Sequence, residues 1–214
     1  MTPESDCCVI VFSKCPQHGS PKTRLQPPLS AREAALLHWR LTLRTLSMAA
    51  ETAFPVQLWL DRDSSHPWVR AAIEQTGCSF HIQTPGDLGA RMAHAFASAL
   101  RNYDRVLLIG SDCAVMRAVD LQDADRALAA EADIALIPAT DGGYVLIGAR
   151  RLDARLFAGI DWGSNRVLTA TRERLQDMQW SWHEGPTLWD VDRPEDLTKL
   201  EAENVILPVI ESRA

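Results

Sequence analysis

Short apolar runs alternate with helix-like segments along nearly the whole chain, and this alternation restricts the fold more than any other feature of the sequence. Cys7–Phe12 and Val106–Ile109 are apolar runs with the length of a buried strand. Ser30 and Glu33 form a capping-box pattern at the start of a helical segment that extends to about Ala50. A repeated strand–helix order predicts an α/β fold, with a mostly parallel sheet and helices on both faces.

The remaining segments complete this pattern. Further strands are predicted at Val56–Leu60, Cys78–Gln83, Ile134–Pro138, Tyr144–Gly148 and Trp180–His183. Further helices are predicted at Pro67–Gln75, from Asp87 onward, at Leu121–Glu131, at Ser164–Met178 and at Pro194–Glu203. The two strands on either side of Asp141 follow each other without a helix between them, which predicts a mixed sheet with an antiparallel excursion. No repeat or linker interrupts the chain, so residues 1–214 are expected to form a single domain.

The composition favours a globular protein that acts on small molecules. Hydrophobic residues make up 46% of the chain and charged residues 23%, which is enough for a sizeable core. The net charge of −6 argues against a general nucleic-acid partner, although a few local cations can still bind a small phosphorylated ligand. No apolar run approaches the roughly 18 residues of a membrane span.

The N-terminal residues and the cysteines bear on the cellular location. Met1–Asp6 is polar and acidic, and it lacks the basic and apolar regions of a signal peptide. The five cysteines are odd in number and form no C-x-x-C pair, so neither a zinc site nor a disulfide framework is expected. We therefore expect reduced thiols and a cytoplasmic protein.

Carboxylates lie next to two of the predicted elements, in positions that suit a metal ion. Asp112 comes directly after an apolar run and two small residues, and Asp190-Val191-Asp192 precedes the last helix. Because side chains alternate along an extended chain, Asp190 and Asp192 are expected on one face and Val191 toward the core. Asp112, Asp190 and Asp192 are therefore predicted to bind Mg²⁺ or Mn²⁺. The alternative is that Asp112 is a turn residue and that Asp192 complements the dipole of the following helix.

The loop after the first strand, residues 13–29, is rich in Pro, Lys and Gly. It contains Ser13, Lys14, Lys22 and Arg24, and such Lys and Arg side chains can neutralise and grip phosphates. The loop is neither a Walker A loop nor a G-x-G-x-x-G fingerprint. These residues are predicted to bind a nucleotide, and the alternative is a solvated basic surface loop.

A segment with two glycines joins the third predicted strand to the next helix. Glycines allow a ligand to approach the backbone, and the free N–H groups of a helix N-terminus suit an anion or a base edge. We predict that Gly86, Asp87, Leu88, Gly89 and Arg91 contact the nucleotide. The alternatives are that Asp87 only caps the helix and that Arg91 is an exposed surface residue.

Six ordered segments carry a family resemblance. They are Phe12–Lys14 with Pro21–Leu25, Gly86–Met92, Ile109–Cys113, Asp141–Gly148, Asp161–Ser164 with Val167-Leu168, and Asp190–Leu197. Taken together they resemble the DUF2064 family of glycosyltransferase-like proteins. The resemblance implies a GT-A, nucleotide-diphospho-sugar transferase fold. It also implies kinship with 2-phospholactate and molybdenum-cofactor guanylyltransferases.

The resemblance also implies roles for the residues. The Lys and Arg of the first loop would hold phosphates, the Gly-Asp-Leu-Gly segment would line the nucleoside, and Asp112 would bind the metal. We expect a metal-dependent transferase that uses a nucleotide-sugar or a nucleoside triphosphate and a small-molecule acceptor.

Catalysis and acceptor binding are expected at two places. Lys22 would add positive charge at the leaving diphosphate, and Asp141 would orient or deprotonate the acceptor. Gly142, Gly143 and Trp162 are predicted to line the acceptor, with a core packing role as the alternative for Trp162.

Two other functions stay open at this point. A nucleotidyltransferase, which attacks the α-phosphate of a triphosphate and releases pyrophosphate, would use nearly the same residues. A non-catalytic nucleotide-binding domain is the second alternative. It is motivated by Ala114, where the family usually has Pro, and by Gly163, where the family pattern has a Ser-Thr pair.

Overall fold

One mixed sheet of seven strands organises the part of the chain that the computed structural model describes, residues 5–16 and 22–210. The strands are β1 (Cys7–Ser13), β2 (Val56–Leu60), β3 (Ser79–Ile82), β4 (Arg105–Gly110), β5 (Ile134–Pro138), β6 (Tyr144–Ala149) and β7 (Trp182–Glu184). Their order across the sheet is β3-β2-β1-β4-β6-β5-β7. The predicted α/β fold with a mixed sheet is confirmed.

Helices connect most of these strands. They are α1 (Ala31–Ala50), α2 (Pro67–Thr76), α3 (Leu88–Ala99), α4 (Ala118–Ala129), α5 (Val167–Asp177) and α6 (Pro194–Ala202). The predicted capping box at the start of α1 is present, because Ser30 accepts from the Glu33 N–H and the Glu33 carboxylate accepts from the Ser30 N–H. None of the helices in residues 5–16 and 22–210 has both the length and the apolar character needed to cross a membrane.

Some element boundaries differ from those predicted. Helix α5 begins at Val167, because the Ser164 hydroxyl donates to the Asp161 carbonyl in a turn that precedes the helix. Strand β7 begins at Trp182, because the Ser181 N–H donates to the Asp133 carboxylate. The Ser164 bond is a local side-chain hydrogen bond that competes with helical backbone bonding. The Ser181–Asp133 bond joins residues that are distant in sequence.

The direction of the strands determines which loops meet. Strands β1 to β4 are mutually parallel, β6 runs antiparallel to both β4 and β5, and β5 therefore runs in the same direction as β4. The chain leaves β1 toward β2 on one side, whereas β4 lies on the other side of β1. This is a topological switch point, and ligands of open α/β sheets bind outside the carboxyl ends of the strands at such a point.

The central strands are buried on both faces. Every residue of β1 is buried, as expected for an apolar run without alternation. Val9 and Val11 pack with Trp39 of α1 on one face of the sheet, and Ile10 packs with Phe96 of α3 on the other. The carboxyl end of β1 is thereby held rigidly between two helical layers.

The fold allows one direct test of core packing. In β6, a Cβ added to Gly148 would lie 2.6 Å from Leu107 Cδ2 and 3.1 Å from Leu128 Cδ1. We expect Gly148→Ala to destabilise the protein by about 1–3 kcal/mol, because both leucines must move within a packed core. Thermal denaturation should show a decrease in Tm of several degrees. Gly110→Ala is the matched control, because an added Cβ there meets nothing within 4 Å. Equal Tm values for the two variants would contradict the packing argument.

Candidate functional site

The carboxyl ends of β1 and β4 bring the first loop and Asp112 together. Lys22 Nζ lies 2.7 Å from Asp112 Oδ2 and donates a hydrogen bond to the Val191 carbonyl. The Lys22 side chain is only 3% exposed, whereas 38% of the Asp112 side chain is exposed. A residue predicted to bind phosphate is thus ion-paired with a residue predicted to bind metal.

A second ion pair joins the same two parts of the chain. Arg24 Nη1 lies 2.6 Å from Asp192 Oδ2, and both side chains are exposed. The Val191 N–H donates to the Asp112 carbonyl at 2.9 Å, and Val191 itself is fully buried. The alternation predicted for Asp190-Val191-Asp192 therefore places Val191 inward, and the segment is fixed beside the end of β4.

The carboxylates of this region act strongly on one another. Burial alone would raise the pKa of Asp112, but the Lys22 ammonium and His38 outweigh it and hold the pKa well below its ordinary value. Burial and then the Asp112 carboxylate raise the pKa of Asp190 to about 7, with Asp141 and Asp192 adding to the rise and Lys22 opposing it. These mutual effects place all four aspartates in one electrostatic neighbourhood.

This neighbourhood suits a hard divalent cation that brings its own ligands. Within the described residues, no group of three or more His, Cys, Asp or Glu side chains forms a ready-made metal cluster. Mg²⁺ typically takes only one or two protein carboxylates, together with water and substrate phosphates. The carboxylate oxygens of Asp112 and Asp190 fit that chemistry, because the Asp112 charge adds to the effect of burial in raising the pKa of Asp190 and a nearby cation would offset that contribution.

A buried histidine that the sequence analysis missed adjoins the site. His38 of α1 is 3% exposed, and its Nδ1 lies 3.7 Å from Asp112 Oδ1. Its Nε2 lies 3.1 Å from both Ser13 Oγ and the Lys14 carbonyl, and Ser13 Oγ also contacts Thr42 Oγ1 at 2.8 Å. The available signal was His38 and Thr42 at helical spacing on the otherwise apolar face of α1. The hydroxyl of Ser13 is held inside the protein, while the Lys14 side chain is exposed.

The glycine-containing segment follows β3, which lies two strands away from β1 in the sheet. Asp87 caps α3 by accepting from the Ala90 N–H at 2.8 Å, and Arg91 Nε donates to the Gly86 carbonyl at 2.9 Å. An added Cβ on Gly89 would lie 2.7 Å from Trp162 Nε1, so this glycine allows close helix packing. Leu88 is exposed. Capping by Asp87 therefore has a direct structural basis, and contact of this segment with a nucleotide stays a prediction.

The turn after β5 is built from its own backbone contacts. The exposed Asp141 accepts from the Gly143 N–H at 2.9 Å. Gly142 has φ +92°, and an added Cβ would lie 2.1 Å from the Asn165 carbonyl oxygen, so no other residue fits this position without rearrangement. Trp162, which precedes α5, packs against Phe157 with 6.4 Å between ring centroids.

Two cavities formed by the described residues lie away from these charges. One of about 830 Å³ lies between α1 and α2 and is lined by Trp39 and Trp68 among others. Another of about 500 Å³ lies at the amino end of β4, near Arg105 and Arg150. Neither is lined by any of the predicted site residues.

Comparison with known proteins agrees with this fold. Residues 42–164 match the family model DUF2064, described as an uncharacterized protein conserved in bacteria. A candidate nucleotide-diphospho-sugar transferase from Desulfovibrio desulfuricans G20 is 31% identical, with a TM-score of 0.85 over 94% of this chain and 88% of that one. No curated protein matches the chain significantly.

More distant structures share the fold alone. The CMP:2-keto-3-deoxy-manno-octonic acid synthetase complexed with CTP has a TM-score of 0.61 at 12% identity, over 94% of this chain and 98% of that one. Glucosyl-3-phosphoglycerate synthase from Mycobacterium tuberculosis, in complex with Mn²⁺, UDP and glucosyl-3-phosphoglycerate, has a TM-score of 0.55 at 9% identity, over 94% and 77%. The expected nucleotide-diphospho-sugar transferase fold is confirmed.

The raised pKa of Asp190 predicts a pH-dependent stability. Its folded-state pKa of about 7 exceeds the ordinary value of 3.8, so ionising Asp190 costs the folded state stability. This loss begins as the pH rises above about 4 and is complete above about 7. In metal-free buffer, we expect Asp190→Asn to be more stable than the wild type at about pH 8, by up to about 4 kcal/mol, and this difference should vanish toward about pH 4. Denaturant unfolding across this range would measure it, and a pH-independent difference would show that Asp190 is not the group responsible.

Proposed function

The chain belongs to the DUF2064 family, and from this premise we propose that it is a metal-dependent transferase that uses a nucleotide-activated sugar. One observation carries the proposal. At the switch point of the sheet, the cations Lys22 and Arg24 converge with the carboxylates of Asp112 and Asp192. A nucleoside diphosphate with a divalent cation needs this combination, because the phosphates require positive partners and the cation requires oxygen ligands.

The donor would bind across the ends of β1 and β4. Lys22 and Arg24 would bind the diphosphate, while Asp112 and one or both of Asp190 and Asp192 would hold Mg²⁺ or Mn²⁺. When bound, the metal supplies positive charge at the leaving diphosphate. Two further segments would line the nucleoside: the Ser13-Lys14 backbone and Gly86–Arg91.

Sugar transfer requires an acceptor at the turn after β5. An acceptor hydroxyl would attack the anomeric carbon, the bond from that carbon to the diphosphate oxygen would break, and the nucleoside diphosphate would leave. Asp141 would take the hydroxyl proton, and its exposure leaves the carboxylate accessible. Gly142, Gly143 and Trp162 would surround the acceptor.

The proposed location and partners rest on the cysteines and on the net charge of the chain. All five cysteines are free and buried, as expected of a protein that works in the reducing cytoplasm. The negative net charge favours small phosphorylated partners over nucleic acid.

Nucleotidyl transfer is the second candidate function. It is supported by the same charged groups, because a nucleoside triphosphate with a divalent cation would also present phosphates to Lys22 and Arg24 and a metal ion to Asp112 and Asp192. In that reaction an acceptor oxygen would attack the α-phosphate and pyrophosphate would leave. Incubation with nucleotide-sugars and, separately, with nucleoside triphosphates and phosphorylated acceptors distinguishes the two, because the first releases nucleoside diphosphate and the second pyrophosphate. Metal-independent binding of nucleotide without either product would favour the non-catalytic alternative.

Removal of the Arg24 side chain should weaken donor binding, because Arg24 is proposed to contact the phosphates of the donor. The exposed pair with Asp192 contributes little to stability, so Arg24→Ala should remain folded. We expect its affinity for a nucleoside diphosphate to fall about tenfold while affinity for the bare nucleoside is unchanged, because the lost contact is to phosphate. Isothermal titration would measure both. Arg101→Ala removes the same charge from the C-terminal end of α3, at the opposite edge of the sheet, and should bind like the wild type; equal affinities in all three proteins would reject the phosphate role.

Two variants of Asp141 separate catalysis from support of the turn. Asp141→Asn keeps an oxygen that can accept from the Gly143 N–H, whereas Asp141→Ala does not. If Asp141 is the base, both variants should lose about 10²–10⁴-fold in turnover while donor binding survives. If Asp141 only stabilises the turn, the Asp141→Asn variant should keep wild-type turnover, whereas the Asp141→Ala variant should lose thermal stability and activity together. Turnover and Tm measured on both variants decide between these roles.

A further inference from the structure

The ion pair between Lys22 and Asp112 has a consequence for the order in which ligands bind. We propose that Lys22 is the internal counter-ion of Asp112 in the ligand-free protein, and that a divalent cation binds there effectively only when nucleotide phosphates draw the Lys22 ammonium away. This inference rests on the proposed function, because it concerns how the same site becomes occupied.

The contacts of Asp112 show that its oxygens are already engaged. Oδ2 lies 2.7 Å from Lys22 Nζ. Oδ1 faces His38 Nδ1 at 3.7 Å and accepts from the Ser111 hydroxyl at 3.4 Å. A cation that approaches Asp112 therefore meets a carboxylate whose charge is balanced by an ammonium group in direct contact.

The Lys22 ammonium is also well held. Its side chain is 3% exposed, and Nζ donates to the Val191 carbonyl as well as contacting Asp112. A buried ammonium cannot lose its carboxylate partner to a metal ion without a replacement, since an unpaired buried charge is strongly unfavourable. A bare metal ion offers no replacement and repels the ammonium, whereas the phosphates of a nucleotide offer a new anionic partner.

Arg24 extends the same arrangement to the surface. It pairs with Asp192, so residues 22 and 24 hold the end of the first loop to the 190–192 segment at two points. The Val191 N–H bonded to the Asp112 carbonyl ties that segment back to β4. Phosphates that attract Lys22 and Arg24 together would free Asp112 and Asp192 at the same time, which couples nucleotide binding to metal binding.

The test is the affinity of the nucleotide-free protein for Mn²⁺, measured by electron paramagnetic resonance of free Mn²⁺ or by calorimetry. Lys22→Met removes the ammonium but keeps the length of the side chain, so we expect Mn²⁺ to bind about tenfold more tightly or better than to the wild type. Lys22→Gln, whose amide can still donate to the Val191 carbonyl, covers the case in which the Met variant does not fold, and the same increase is expected. Unchanged or weaker Mn²⁺ binding in the folded variant would overturn the proposal.

Two controls sharpen the result. Arg32→Met removes one positive charge at the start of α1, where the side chain is exposed, and should change Mn²⁺ affinity by less than about twofold, since its charge is screened. Lys22→Arg keeps the charge and should bind Mn²⁺ as weakly as the wild type.

Titration of wild-type protein with UDP, CDP, GDP and ADP in the presence of Mn²⁺ tests the proposed function separately. Absence of any nucleotide binding would count against that function, whereas the metal titrations alone decide the role of Lys22.

Discussion

The ion pair between Lys22 and Asp112 is the interaction on which the candidate site depends. It joins the end of the first loop to the end of β4, and through the Val191 carbonyl it also holds the segment before α6. Three parts of the chain that are distant in sequence therefore meet at one point. The switch between β1 and β4 makes this meeting possible, because their carboxyl ends lie side by side at the same edge of the sheet.

The helices contribute by fixing where each strand ends. Helix α1 is buried over most of its inner face, yet it carries His38 and Thr42 toward the end of β1. Their contacts with Ser13 hold the last residue of β1 inside the protein, and His38 also faces Asp112. The hydrogen bonds of Ser13 with His38 and Thr42 therefore fix the end of β1 relative to α1.

Much of this fold could be predicted from the sequence, because the signals are local. Apolar runs gave the strands, the Ser30–Glu33 pair gave the start of α1, and alternation placed Val191 in the core. What could not be predicted depends on contacts between distant residues. Nothing near Gly89 in the sequence indicates that Trp162 occupies the space beside it, and nothing near Lys22 indicates that its ammonium rests on Asp112. The predicted site residues were therefore chosen by residue type and position, whereas the pairing of Lys22 with Asp112 is visible only in the three-dimensional structure.

If the proposed ligands bind here, the charges of the site would serve both the empty and the loaded protein. Two cations and several carboxylates face one another, and in the absence of ligand they neutralise one another in pairs. In the proposed function, a metal-bound diphosphate would bring anions for Lys22 and Arg24 and a cation for Asp112 and Asp192, so each of these four groups would exchange one partner for another. Either ligand alone would satisfy only one sign of charge, and would leave either the buried Lys22 ammonium or the carboxylates without a partner. The same reasoning applies to a sugar donor and to a nucleoside triphosphate, since both present phosphates with a divalent cation. The choice between the two reactions must therefore depend on residues outside this cluster of charges, at the turn of Asp141 where the acceptor is proposed to bind.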